Sequence, residues 1–403
     1  MIPPKDSPLV MVHANHARID GGALTVDRKF HVGMLDYAEK IKAPLVTLNP
    51  QAPRDAVIMD PIVINFAELP YRIVTVPYGN NWQPLPTSAP LLRDEISRAR
   101  LVYGGYGDGM GAPAIARACG VPYILILEYD LKTQITATAM QVKGKLRQAV
   151  RAARTVWSYY TSGLHDMRRA HSVHCNGYPI YDAMTRENLD AVLYLDSRMS
   201  SDTILSHKEL EARLTERRGQ ALRLLYSGRY EPMKGALDAV KVGLECLALG
   251  IEIEMHCYGQ GSLAAEMRKL ASQSRSRIVI HDAVPYPELV KIAGTFDVFV
   301  CCHVQNDPSC TYLESFGAGL PIVGYGNRMW ERLQQESGAG YCSPIGRPKQ
   351  VAERVRLLAQ GTLADKSVRA LEFARAHSYE LEHGKRIDAL NIALEASEED
   401  KRQ

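Results

Sequence analysis

The sequence lacks any apolar run long enough to span a membrane, and its first ten residues, MIPPKDSPLV, have no signal-peptide pattern. Its eight cysteines include no C-x-x-C pair, which disfavours a zinc site or a disulfide scaffold and favours free thiols in a reducing compartment. The formal net charge of +3 is too small to indicate nucleic acid as a partner. These absences predict a cytoplasmic globular protein.

With 403 residues, the chain is longer than one hydrophobic core usually supports, so two domains are expected. Apolar runs of strand length alternate with helical periods in both halves of the chain, and 196–206 (DSRMSSDTILS) is polar enough to be a connection. The predicted fold class is α/β, with two Rossmann-like doubly wound domains facing across a cleft. We expect an acceptor-side domain over 1–195, a donor domain over 196–380, and a C-terminal helix with a charged tail over 381–403.

The stretch 306–324, NDPSCTYLESFGAGLPIVG, follows the apolar run 296–300 and ends in another short apolar run. Strand, polar turn, helix and strand form an α/β unit whose loop faces a ligand. The turn at 309–311 would present backbone N–H groups and hydroxyls to an anion at the start of a helix. The helix carries Glu314, for which the sequence offers no local partner.

A second polar loop, GRYEPMKG at 228–235, follows the strand predicted at 222–226. Its two basic residues, Arg229 and Lys234, lie on a turn that opens a helix, which suits a diphosphate. A carboxylate such as Glu314 near a phosphate site usually holds ribose hydroxyls. Basic groups for phosphates and an acid for ribose predict a nucleoside diphosphate site, although each feature alone is also compatible with a solvated surface.

These motifs resemble the donor domain of the GT-B, family-4-type (group 1) nucleotide-sugar glycosyltransferases. The family motif G-R-x-x-x-x-K-G is matched by Gly228, Arg229, Lys234 and Gly235, and ESFGAGLPIVG resembles the end of its E-x₇-E motif. The turn YGQG at 258–261 resembles its G-x-G turn. The resemblance is specific over about 222–345 and weaker over the N-terminal half, where Gly21 and Gly22 resemble the glycine-rich first loop.

The resemblance implies an enzyme that transfers a sugar from a UDP- or GDP-sugar to a glycan or lipid-linked acceptor in polysaccharide biosynthesis. It implies retention of anomeric configuration, no cofactor, and no metal, in agreement with the lack of a D-x-D motif. It also assigns Glu314 to the ribose. It assigns Arg229 and Lys234 to the diphosphate. The other predicted diphosphate contacts are Gly21 and Gly22 of the glycine-rich loop and the helix-start residues Ser309, Cys310 and Thr311.

Two positions depart from the family pattern. The first glutamate of E-x₇-E falls on Asn306, with Asp307 beside it as a possible replacement. Many members place a histidine after a G-x-P segment. Here that histidine is absent and Glu128 takes its place. Glu128 would either orient or deprotonate an acceptor hydroxyl, or only cap the edge of the core. His13 and His16 are other candidates for sugar contacts.

Other interpretations remain open. The basic amphipathic helix predicted over 141–154 can lie on the anionic inner face of a membrane or simply form a solvated surface. Gly107, Gly109 and Ala112 fit the dinucleotide pattern G-x-G-x-x-A of an NAD(P)-dependent oxidoreductase. The loss of the first acidic residue is also compatible with a non-catalytic nucleotide-sugar-binding relative, and the same two-domain fold also occurs in epimerases.

Overall fold

The computed structural model describes residues 6–53, 56, 58, 60–79, 84–107, 110–140, 142, 144–306 and 308–399. The chain divides into two compact units. Unit 1 comprises Met1–Asn176, Ile180–Tyr194 and Gly384–Gln403, and unit 2 comprises Gly177–Pro179 and Leu195–His383. The units are therefore built from discontinuous segments, whereas the sequence prediction divided the chain into consecutive domains.

Unit 1 is built on a seven-stranded parallel sheet in the order β10-β9-β8-β7-β1-β4-β6. The strands of this half of the chain are β1 (Leu9–Val12), β2 (Arg18–Asp20), β3 (Ala23–Asp27), β4 (Leu45–Pro50), β5 (Pro61–Asn65), β6 (Arg72–Val76), β7 (Leu101–Gly105), β8 (Tyr123–Leu127), β9 (Ser172–Asn176) and β10 (Ala191–Tyr194). The helices are α1 (Arg28–Lys40), α2 (Ala89–Ser97), α3 (Ala112–Cys119), α4 (Leu131–Met140), α5 (Lys145–Ser158), α6 (Leu164–Arg169) and α7 (Tyr178–Arg186).

Both faces of this sheet are covered. Along β1, Val10 and Val12 belong to one apolar cluster, while Leu9 and Met11 belong to another on the opposite face. Alternate residues of a strand point to opposite faces, so a strand buried on both sides reads as a continuous apolar run. This is why β1 was predictable from sequence.

Gly21 and Gly22, which resemble the glycine-rich first loop of the family, lie in a hairpin formed by residues 18–27. Strands β2 and β3 pair in antiparallel fashion, and β3 pairs with β5 in a separate three-stranded sheet. Gly21 and Gly22 form the connecting turn with φ of 53° and 88°. Two consecutive positive φ angles are what a two-residue hairpin turn requires, so the turn accounts for both glycines without a ligand. Strand β5 was not predicted.

Unit 2 contains a six-stranded parallel sheet in the order β13-β12-β11-β14-β15-β16. Its strands are β11 (Leu222–Ser227), β12 (Ile253–Tyr258), β13 (Ile278–His281), β14 (Val298–Cys301), β15 (Ile322–Tyr325) and β16 (Gly340–Ser343). The helices of this half of the chain are α8 (His207–Glu216), α9 (Ala236–Ala248), α10 (Ala264–Ala271), α11 (Tyr286–Ala293), α12 (Thr311–Gly317), α13 (Arg328–Ser337), α14 (Pro348–Leu357), α15 (Leu363–Ala376) and α16 (Tyr379–Glu399). The predicted α/β class with two parallel sheets is confirmed.

The sheet of unit 2 is wound outward in both directions from its centre. The chain passes from β11 through β12 to β13 on one side, then returns to β14 and continues through β15 to β16 on the other. Open α/β sheets bind ligands at the carboxyl ends of the strands where the winding direction changes. In unit 2 that switch point lies between β11 and β14.

The last helix, α16, returns to unit 1. Its buried residues Ile387, Leu390 and Leu394 belong to the same apolar cluster as Phe30 and Met34 of α1. This packing places Gly384–Gln403 in unit 1 although unit 2 precedes it in the chain.

Candidate functional site

The loop after β11 lies at the switch point and approaches the strand next to it. Gly235 has φ of 60°, and a Cβ atom built there would lie 1.9 Å from the carbonyl oxygen of Cys302, just past the end of β14. The carbonyl of Met233 accepts a hydrogen bond of 3.1 Å from Val304 N–H. The loops after β11 and β14 therefore touch, and only glycine fits at position 235.

The two basic residues of this loop differ in exposure. Lys234 retains only 7% of its accessible surface, although it ends a short 3₁₀ turn (Pro232–Lys234) at the start of α9. Arg229 is exposed, and its Nη2 lies 3.9 Å from Met233 Sδ. The structure thus holds one cation inside the protein and places the other at the surface, both beside the switch point.

Side chains inside the loop fix its shape. Glu231 accepts hydrogen bonds from the backbone N–H of Ser262 at 2.9 Å and from its hydroxyl at 2.7 Å. These bonds lower the pKa of the Glu231 carboxyl. The Tyr230 hydroxyl lies 2.7 Å from the carbonyl oxygens of both Cys257 and His281, at the ends of β12 and β13. Tyr230 was not predicted as a site residue, because nothing in the local pattern reveals partners that far along the chain.

Glu314 has a partner that the sequence did not reveal. Arg198 Nε donates to Glu314 Oε1 at 2.7 Å, and Arg198 Nη2 lies 2.6 Å from the same oxygen. The Arg198 guanidinium also stacks 4.0 Å from the ring centroid of Tyr286. Burial by itself would lower the pKa of Arg198, but the charge and hydrogen bond of Glu314, together with the nearby Cys310 and Tyr286, outweigh it and the pKa is raised. The sequence offers Glu314 no local partner, and the structure supplies a distant one, 116 residues away along the chain.

The turn before α12 is held by its own side chains. Ser309 Oγ donates to Thr311 Oγ1 at 3.0 Å, and Cys310 Sγ donates to Asp196 Oδ2 at 3.0 Å. The carbonyl of Cys310 accepts the N–H of Glu314 at 3.0 Å. These three residues do lie at the start of a helix, but α12 has only seven residues. Their assignment to the diphosphate stays a prediction.

The side chain of Asn306 accepts a hydrogen bond from the next helix. Its Oδ1 accepts the backbone N–H of Arg328, the first residue of α13, at 3.0 Å. Asn327 caps the same helix, since its Oδ1 accepts the N–H of Trp330 at 3.0 Å. Asn306 thus satisfies a backbone donor at a helix N-terminus, where four N–H groups lack partners within the helix. Asp307 lies outside the described residues.

In unit 1, Glu128 lies just past the end of β8. Asn176 Nδ2 at the end of β9 donates to Glu128 Oε2 at 2.8 Å, and the Tyr194 hydroxyl at the end of β10 lies 3.5 Å from Oε1. Three adjacent strand ends therefore orient this exposed carboxylate. Glu128 was predicted from the sequence, but the two residues that contact its carboxylate, Asn176 and Tyr194, were not.

His13 is partly buried, whereas a sugar contact would lie at the surface. Its ring packs edge-on against Phe30, with 5.1 Å between the ring centroids, and burial together with the charge of Arg386 lowers its pKa to about 4. Arg386 Nε donates to the Tyr103 hydroxyl at 3.0 Å, which in turn lies 3.1 Å from Nδ1 of the buried His174. Burial of the His16 ring lowers its pKa.

The glycine-rich loop after β7 is only partly described. Gly107 has φ of 86°, and Ala112 is the first residue of α3, but Gly109 lies outside the described residues. Strand β7 is neither the first strand of unit 1 nor at the edge of its sheet. In the described part of the chain, no group of three or more His, Cys, Asp or Glu side chains is placed to hold a metal ion.

Residues 221–360, most of unit 2, match the family described as "Glycosyl transferases group 1". This segment is a glycosyltransferase group 1 domain. The match confirms the predicted resemblance and the enzyme class. The domain includes the loop 228–235, the switch point, and Glu314.

The fold of the whole chain is similar to that of solved GT-B glycosyltransferases. Anabaena HepE in complex with UDP-glucose aligns with a TM-score of 0.61 and 11% identity over 98% of this chain and 99% of that protein. Sucrose-phosphate synthase from Thermosynechococcus elongatus aligns with a TM-score of 0.64 and 12% identity over 97% and 100%. WaaG, a glycosyltransferase involved in lipopolysaccharide biosynthesis, aligns with a TM-score of 0.60 and 12% identity over 95% and 99%. At these identities the alignments show the fold, and no curated protein matches the chain by sequence.

No helix in the described ranges combines the length and the apolar character needed to cross a bilayer.

Proposed function

We propose that the chain transfers a sugar from a UDP- or GDP-sugar to a glycan or lipid-linked acceptor in polysaccharide biosynthesis. The observation that carries this proposal is the placement of the Arg229–Lys234 loop at the switch point of a group 1 domain. HepE, which has a similar fold, was solved in complex with UDP-glucose, and this supports a nucleotide-sugar donor here. We further propose transfer with retention, without a metal ion or cofactor.

In this proposal the donor diphosphate lies against the loop 228–235. Gly235 lets the start of α9 approach the end of β14, and the residue before it, Lys234, is nearly buried. A cation in a site shielded from water stabilises the charge that develops on the departing nucleoside diphosphate more strongly than a solvated one. Arg229, which is exposed, is the second proposed contact of these phosphates.

Glu314 is proposed to hold the ribose. Both contacts of its carboxylate with Arg198 involve Oε1, and Oε2 accepts no hydrogen bond from the described residues. One oxygen is thus fixed by Arg198 while the other is available to a ribose hydroxyl. A carboxylate oriented by a guanidinium provides a directional acceptor, which suits recognition of a diol.

The groups nearest the reacting sugar are proposed to be Asn306 or Asp307 and, for the acceptor, Glu128. Asn306 uses Oδ1 on the backbone of α13, which leaves its amide N–H groups for a sugar hydroxyl. Glu128, oriented by Asn176 and Tyr194, would position or deprotonate the acceptor hydroxyl. Ser309, Cys310 and Thr311 remain proposed phosphate contacts, as do Gly21 and Gly22.

We also propose that the protein acts in the cytoplasm and contacts the inner face of the membrane through the basic helix α5. This helix begins at Lys145 rather than at residue 141, after Gly144 with φ of 95°, and continues to Ser158. Residues 141 and 143 of the predicted span lie outside the described residues. Four basic residues and no acidic ones lie on α5, which favours anionic lipid.

The test is a donor screen in which release of UDP or GDP is followed for the parent chain and for Lys234→Ala and Arg229→Ala. We expect Lys234→Ala to lower kcat/KM by roughly 10²–10³-fold, the usual loss when one electrostatic stabiliser of the transition state is removed. Lys269→Ala on α10, an exposed lysine of the same unit, is the matched control and should retain parental activity. Folded Lys234→Ala and Arg229→Ala variants that turn over donor like the parent would refute the assigned phosphate site.

The same screen distinguishes sugar transfer from a second candidate function, in which the chain binds a nucleotide sugar without catalysis. The observation that favours it is the use of Asn306 at a position where the family has a glutamate, together with the structural bond that Asn306 makes to α13. Binding of UDP-sugar without release of UDP, in the presence of mixed glycan and lipid-linked acceptors, would support that alternative.

A further inference from the structure

Helix α5 and the turn after it carry a row of large apolar side chains in solvent. Leu146, Val150, Trp157 and Tyr160 are 80%, 61%, 69% and 60% exposed. The spacings of four, seven and three residues place them within one narrow stripe of a helical surface. We call this row, formed by these four residues, the apolar ridge.

The ridge points away from the body of unit 1. The opposite side of α5 packs on α4, where Thr155 Oγ1 lies 2.9 Å from Thr138 Oγ1. Directly after the helix, Tyr159 is buried and anchors the segment, while its neighbour Tyr160 faces solvent. No residue of α5 is itself buried. A soluble protein exposes single apolar residues freely, but a contiguous row of this kind marks an interaction surface.

The charges around the ridge indicate what covers it. Arg147, Arg151 and Arg154 follow one flank of the helix, and Lys145 lies on the other. The helix alone has four positive charges and no negative ones, more than the net +3 of the whole chain. Two copies of this face brought together would oppose their arginines, so the charge pattern disfavours a second copy of the chain and favours a negatively charged surface.

From this arrangement we infer that the apolar ridge inserts into the headgroup region of an anionic bilayer, with α5 lying in the plane of the surface. Leu146 and Val150 would enter the acyl boundary, while Trp157 and Tyr160 would take the interfacial level that their amphipathic rings prefer. The flanking arginines would reach lipid phosphates. This goes further than electrostatic attraction of a basic helix, because apolar side chains leave water.

The inference also bears on the acceptor. A protein held at the bilayer by unit 1 meets acceptors that are themselves membrane-anchored, so the lipid-linked class is favoured over a free glycan. This last step rests on the proposed function, whereas lipid binding by the ridge does not.

The inference is tested on the full chain with two kinds of vesicle, phosphatidylcholine alone and phosphatidylcholine with about a third phosphatidylglycerol. Binding is measured by co-sedimentation and by tryptophan emission. We expect binding to the anionic vesicles, a blue shift of emission, and quenching by lipids brominated in the acyl chain. Made in a Trp82→Phe background, Trp157→Phe should abolish the shift, since the remaining tryptophan, Trp330, is fully buried.

Two variants separate insertion from charge attraction. Leu146→Ser with Val150→Ser should lower vesicle partitioning at least tenfold while all four positive charges stay. Arg147→Gln with Arg151→Gln should lower it roughly 25-fold, at about fivefold for each charge near an anionic surface. Val63→Ser is the matched control, because Val63 is 68% exposed on β5 in the same unit, and it should bind like the parent.

Several outcomes would overturn the inference. Absence of binding to both vesicles would do so, and so would salt-sensitive binding that the serine variant retains in full, since that would mean attraction without insertion. A concentration-dependent dimer that the serine variant disrupts, with no vesicle binding, would show that the ridge is covered by a second copy. Donor turnover measured without vesicles should be equal in the parent and the ridge variants, so a failure of the proposed function is seen separately.

Discussion

The contact between Arg198 and Glu314 allows a quantitative test of the donor site. Glu314 is 11% exposed at its side chain and Arg198 is 36% exposed, with nitrogen–oxygen distances of 2.6 and 2.7 Å. Removing one partner of a fully buried pair costs about 3–5 kcal/mol, and exposed pairs are worth about 0–1 kcal/mol. This pair is intermediate, because the Arg198 side chain is partly exposed whereas the Glu314 side chain is nearly buried. We expect a coupling free energy of about 1–2 kcal/mol.

The assay is a double-mutant cycle with Arg198→Gln, Glu314→Gln and the double variant, measured by urea unfolding at pH 7. Arg198→Gln should destabilise the protein more than Glu314→Gln, because Glu314→Gln leaves Arg198 on the Tyr286 ring at 4.0 Å. UDP affinity should fall in both single variants, since Arg198 orients the carboxylate. A coupling below about 0.3 kcal/mol, with UDP affinity unchanged in Arg198→Gln, would refute this interpretation of the pair.

Three further predictions concern other parts of the two units. Asn306→Ala removes a side-chain acceptor at the start of α13 and should lower the free energy of unfolding by about 1 kcal/mol in urea titrations, whereas Asn306→Asp should restore it. Gly235→Ala should cost more than about 2 kcal/mol in thermal unfolding, because its Cβ would lie 1.9 Å from the Cys302 carbonyl oxygen at φ of 60°; Gly250→Ala, at φ of 73° in open space, should cost only about 1 kcal/mol. Burial, aided by the charge of Arg386, lowers the pKa of His174 to about 3, so between pH 6.5 and that value the unfolded chain binds a proton that the native chain excludes. The contribution of His174 to the free energy of unfolding should therefore be complete above pH 6.5 and fall by about 2 kcal/mol on acidification to pH 5. His174→Asn should remove this contribution.

Parallel strands were the most predictable elements. The sequence predicts strands at 72–76 and 123–127, which are the bounds of β6 and β8. Strand β8 is buried at every residue and is therefore continuously apolar, whereas β6 lies at the edge of its sheet and begins with the exposed Arg72. The hairpin β2–β3 was not recognised. Its strands are short, and β3 is completed by pairing with β5 some forty residues later, which no local pattern encodes.

The candidate site was predictable where its chemistry lies within one loop. Arg229, Lys234 and Gly235 share a loop, and the strand order places that loop at the switch point. Arg198 was missed because it lies 116 residues from Glu314 in sequence, within a polar stretch that resembled a connection. The orientation of α5 was also open, since a helical period shows that one face is apolar but not whether that face is buried.

We propose that a nucleoside diphosphate binds at the loop 228–235. Calorimetric titration of the parent chain with UDP and GDP, repeated with Lys234→Ala and with the control Lys269→Ala, tests it most directly. We expect one of the two nucleotides to bind the parent and the control alike, and Lys234→Ala to weaken this binding at least tenfold, since an ammonium–phosphate contact contributes roughly 1.5–3 kcal/mol. Equal affinity in the parent and a folded Lys234→Ala variant, or no binding of either nucleotide, would contradict it.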